Sequence, residues 1–61
     1  MTDIAALRTL ALGKRGSAAL ARRAGPTMSP PDQLLMLVLA KELDAEAAGL
    51  EAQANELEKS L

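Results

Sequence analysis

Not one of the 61 residues is Phe, Tyr, Trp, His or Cys. Without cysteine there is no thiolate nucleophile and no disulfide frame. Without histidine there is no imidazole base, and the usual zinc donor sets cannot be assembled. The lack of aromatic rings removes the stacking platforms used by most readers of single-stranded nucleic acid. A single Val, and no alternating β-branched run, leave no strand signal. Long apolar runs are missing too: the longest, Leu34 to Ala40, has seven residues, against about twenty for a membrane span. The start, Met1 to Arg8, carries Asp3 near its front and an arginine inside its first apolar stretch. A secretory signal has a basic front and an unbroken apolar middle instead. These absences predict a non-enzymatic chain with no catalytic residue, cofactor or metal ion, working in the cytoplasm or in a soluble particle.

What is present is alanine and leucine, 13 and 12 residues respectively. Both are good helix formers, so the chain reads as all-α. Three punctuation points divide it. Gly13 and Gly16 flank Lys14-Arg15, Gly25-Pro26-Thr27-Met28 stops whatever precedes it, and Ser29-Pro30-Pro31-Asp32 opens a new element. Serine as cap, proline in the first turn and an acid three residues after the serine make a helix start. The pattern predicts a single antiparallel hairpin over residues 1–61. Its helices cover about 3–24 (capped by Thr2, continuous or slightly kinked at Gly13/Gly16) and about 30–60, joined by a turn at 25–29. The alternative is a first segment split at Gly13, with Ser17 capping a second short helix to Ala24.

The second helix carries a heptad pattern. Met36, Leu43, Leu50 and Leu57 recur every seven residues, and Ala40, Ala47, Ala54 and Leu61 follow each by four. Such a seam marks a helix–helix contact, and its alanines allow close approach. Four heptads exceed what one 61-residue hairpin can cover, which points to a further helix from a second chain or a larger partner. Leu34-Leu35-Met36-Leu37-Val38-Leu39-Ala40 is apolar in every direction, so one neighbour cannot cover it. The partner interface is therefore assigned to Leu34, Leu35, Met36, Leu39, Ala40, Leu43, Ala47, Leu50, Ala54 and Leu57. The glycines at 13 and 16 offer a shallow groove for the leucines.

Charge divides the chain. Residues 1–31 carry five bases and one acid, and residues 32–61 carry seven acids and two lysines. Arg8, Arg15 and Arg22 are seven apart, as are Asp44, Glu51 and Glu58. On helices these become two opposite stripes that favour an antiparallel partner. A hairpin turning near residue 27 sets residue 22 against about 33 and residue 8 against about 47. Arg8 then reaches Asp44 or Glu51, and Glu56 and Glu58 overhang.

The basic half also suggests phosphate. Arg8, Lys14, Arg15, Arg22 and Arg23 are the candidate nucleic-acid contacts. Gly16 to Gly25, with Ala21 four residues before Gly25, resembles the first helix and turn of helix-turn-helix repressors, which implies DNA binding. The resemblance covers about ten residues and departs from the family at Pro26, Pro30 and Pro31, where a recognition helix would follow. A hairpin dimer of the kind found in small RNA-binding regulators is a second route, by fold analogy alone. Glu42 and Glu46 lack the histidine that di-iron bundles add, and read as a solvated acidic face. Ile4, Leu7, Leu10 and Leu12 lack the aromatics of membrane-surface helices. The best reading is an assembly module or adaptor: a small helical subunit that binds itself or a larger assembly through the seam and the apolar run. A small nucleic-acid-binding regulator is the alternative.

Overall fold

The computed structural model describes residues 3–61. Helix α1 is Ile4–Ala24, a 3-10 turn follows at Gly25–Thr27, and helix α2 is Pro30–Lys59. The two helices pack antiparallel as an all-α hairpin, and there is no strand among the described residues. The cap assigned to Thr2 lies outside the described residues. Asp3 holds the cap position of α1 instead, its carboxylate accepting from the Ala6 amide at 2.6 Å. A negative charge there also suits the positive end of the helix dipole.

Helix α1 passes through Gly13 and Gly16 without a break, and no glycine has a positive φ. Each glycine costs about 1 kcal/mol relative to alanine in a helix interior. Packing of Leu7, Ala11, Ala18 and Ala21 against α2 outweighs that local penalty. At its far end α1 runs straight into the 3-10 turn, with Gly25 in right-handed helical conformation and its amide donating to the Ala21 carbonyl. The Thr27 hydroxyl donates to the Ala24 carbonyl at 2.7 Å, and Gln33 Nε2 donates to the Met28 carbonyl at 3.0 Å. Ser29 stands at the cap of α2 in extended conformation, but its side chain makes no capping hydrogen bond. The helix start is the one the sequence predicts, with Pro30, Pro31 and Asp32 in the first turn; only the hydrogen bond from the serine side chain is not made.

The buried core is Leu7 with Ala11, Ala18 and Ala21 on α1, and Ala40, Ala47 and Ala54 on α2. Six of these seven side chains are a single methyl group. Heptad spacing is kept on both helices, and Met36 and Leu43 pack over the cluster of Ala18, Ala21 and Ala40. Small residues on both sides permit a short interaxial distance, at the cost of little area removed from water. The total accessible surface is 4459 Å², against roughly 3,800 Å² for a compact protein of this mass.

The register differs from the one the sequence suggests. A Cβ on Gly25 would stand 3.8 Å from the Met36 Cβ, so residue 25 is level with residue 36. Counting antiparallel from there sets Ala18 beside Leu43, Ala11 beside Leu50 and Ile4 beside Leu57. Residue 22 thus faces about 39 rather than 33, a shift of about six residues. The link from Gly25 to Ser29 causes it, because it runs on past the end of α1 before the chain reverses. Two consequences follow. The seam from Met36 to Leu57 is covered by α1 of the same chain, which corrects the expectation that it outruns one hairpin. Residues Pro30 to Leu35 instead project beyond α1 by about 9 Å.

The alanine contact is testable. Ala47 is fully buried, so Ala47→Leu should force the helices apart and cost about 1–3 kcal/mol in denaturation followed by circular dichroism. Gly49 has no neighbour within 4 Å of an added Cβ, so Gly49→Ala should stabilise by about 0.5–1 kcal/mol.

Candidate interaction surface

One flank of the hairpin is a ladder of charge. Arg8 pairs with Glu58 at 3.1 Å and also donates to the Asn55 side-chain oxygen at 3.3 Å. Arg15 donates twice to Glu51, at 3.0 and 2.6 Å, and lies 3.7 Å from Asp44. Arg22 meets Asp44 at 2.6 Å. The register shift moves Arg8 away from Asp44 and Glu51 and brings in Glu58, which does not overhang after all. Glu56 pairs only locally, with Lys59 at 3.5 Å. From the seam edge, Lys14 reaches across to Glu46 at 2.9 Å. All these groups are substantially exposed and screened by water, so each pair contributes little to stability. The hydrogen bonds from Arg15, with its positive charge, hold the Glu51 carboxyl below its ordinary range, and Glu51 in turn raises the Arg15 guanidinium.

Four of the five candidate nucleic-acid contacts, Arg8, Lys14, Arg15 and Arg22, are therefore engaged by acids of the same chain. Arg23 makes no ion pair among the described residues. The segment that resembles a helix-turn-helix is the second half of an unbroken α1, and after Gly25 comes a 3-10 turn followed by a helix folded back antiparallel. A helix-turn-helix needs a second helix crossing at about 90–120°. The geometry departs from that family, as the prolines indicate.

The assigned interface residues separate into two groups. Ala40, Ala47 and Ala54 are buried, and Met36, Leu43 and Leu50 half-buried, within the chain's own seam. Leu57 stands at the seam's open end, 41% exposed. These seven residues hold the hairpin together. Leu34, Leu35 and Leu39 lie in water, with Leu34 and Leu35 63% and 62% exposed, and so do Leu37 and Val38. The first two project past α1, and Leu37 to Leu39 point away from it. Leu10, Leu12 and Leu20 on the outer side of α1 are exposed as well. The reading by sequence does not assign these last three to an interface. The heptad phase of Ala11 and Ala18 carries the missing signal: a residue one position from Ala11 is turned about 100° from the seam. Gly13 and Gly16 also face open space, so no leucine of this chain enters a groove there.

No group of three acidic, histidine or cysteine side chains that could hold a metal ion occurs among the described residues. A surface depression lined by Arg8, Leu12, Glu51 and Asn55 lies on the ion-paired flank. No described helix is long and apolar enough to cross a membrane. The surface that distinguishes the molecule is the uncovered apolar run of Leu34 to Leu39.

The depressed Glu51 carboxyl sets a pH dependence. A carboxyl group held lower when folded contributes stability above its unfolded pKa, and the contribution is lost as pH falls through the folded value. Thermal stability should therefore decline on acidification below the ordinary carboxylate range, and Glu51→Gln should flatten part of that decline. An unchanged acid limb in the variant would show that Arg15–Glu51 does not contribute. No protein-family model, curated protein or solved structure matches this chain.

Proposed function

We propose that this chain is a non-enzymatic assembly module, a helical hairpin that self-associates through the apolar run at the start of α2. The observation that carries the reading is an inversion of ordinary burial: alanines fill the core while Leu34, Leu35, Leu37, Val38 and Leu39 are left in water. An exposed apolar cluster of this kind, beside an otherwise ion-paired surface, is the usual mark of a contact site. The seam closes the hairpin, and the projecting turns offer it to a second molecule.

Magnitudes favour a partner that brings equal apolar surface. Together the five side chains expose the equivalent of roughly two to three whole aliphatic side chains, or roughly 4–8 kcal/mol if fully covered. Association costs about 4–15 kcal/mol in lost freedom and ordering. One such cluster against a polar surface falls short of that cost over much of the range. Two clusters covered at once are comparable with it.

The test is the concentration dependence of melting. Association that occurs only in the folded state raises Tm with protein concentration. Tm should rise across micromolar to millimolar chain, with sedimentation giving a mass above 6.4 kDa. In Leu35→Glu combined with Val38→Glu the helicity should persist while both effects vanish, because neither side chain belongs to the hairpin core. A wild-type chain that sediments at monomer mass, with a flat Tm over that range, would overturn the reading.

A further inference from the structure

We infer that two copies lie antiparallel along their whole length, each laying its apolar run on the first turns of the other's α1. The inference rests on the self-association reading and adds which surface receives the run. Three observations lead to it.

The first is length. Residues 34–39 are centred about eight residues, or about 12 Å, to one side of the midpoint of α2. In the observed register, residues 5–12 of α1 are centred as far to the other side. A two-fold axis through the hairpin's middle therefore brings the run of each copy level with the start of α1 in the other, twice over.

The second is charge. Residues 33–40 carry none. On the receiving stretch the exposed residues Ala5, Ala6, Thr9, Leu10 and Leu12 carry none either. Arg8, the single charge there, is already drawn to Glu58 and Asn55 at the flank. A basic helix ordinarily repels its own copy; here Arg8, Lys14, Arg15 and Arg22 are matched within each chain before the copies meet.

The third is area. Stable interfaces engage about 800 Å² per partner and roughly 20–30 residues a side. Pairing the two runs tip to tip would engage only their few residues and leave Leu10 and Leu12 in water. Reciprocal docking uses both apolar surfaces of both copies and extends contact over the length of the hairpin.

The chain has no cysteine, so introduced thiols report contacts without background. Leu35→Cys and Thr9→Cys are both at exposed positions. The single variants, checked for helicity, are mixed in equal amounts and oxidised mildly, alongside sedimentation of the unlinked protein. The expected result is a dimer whose mixed Leu35→Cys/Thr9→Cys disulfide exceeds either self-linked product several-fold. A dimer in which Leu35→Cys links chiefly to itself, or in which linkage is unselective, overturns the reciprocal arrangement and leaves self-association standing. A monomer at every concentration overturns both.

Discussion

Everything in this molecule depends on the alanines that line the contact between the two helices. Ala18, Ala21, Ala40, Ala47 and Ala54 are nearly or fully removed from water, and nothing larger would let the two backbones come so close. Each methyl group contributes about a kilocalorie or less on burial, so the contact has little strength for its length. Leu7 is the only large side chain that is buried among the described residues. A hairpin built this way gains shape more than stability, and its leucines are free to face elsewhere.

Close approach also organises the charges. With the helices so near, Arg8, Arg15 and Arg22 reach acids on the facing edge of α2, and the two stripes close into a ladder along one flank. The net +4 and −5 of the two halves, a strong dipole in the sequence, is largely cancelled within the fold. What remains unsatisfied is apolar. That order of events turns the functional question from phosphate towards packing.

The helices, the turn and the inward phase of α2 were legible in the residues, since heptad spacing and the Pro/Gly cluster act locally. The register was not. It is decided by how far the link from Gly25 to Ser29 runs before reversing, and no periodicity in either helix encodes that distance. The difference reaches the surface: the sequence groups Leu34, Leu35 and Leu39 with Ala40 and Leu43, whereas Leu34 and Leu35 lie past the end of α1 and Leu39 points away from it. Leu10, Leu12 and Leu20 were missed for a related reason. Their orientation is set by the phase of the buried alanines on α1, which small side chains mark only faintly against so many leucines. Ser29 takes the cap position and conformation that the sequence predicts, but its hydroxyl makes no capping bond.

Lys14 occupies a seam position, half-buried between Leu7 and Ala21, where the pattern calls for something small and apolar. Alanines repeated every seven residues on both helices form a vernier with several nearly equivalent settings, and nothing in the methyl groups tells one from the next. The ammonium group does. In the observed setting it meets Glu46; a slip of seven residues either way would offer it Gln53 or Leu39 instead. The one awkward side chain in the seam thus adds a local preference for the setting that the link from Gly25 to Ser29 imposes.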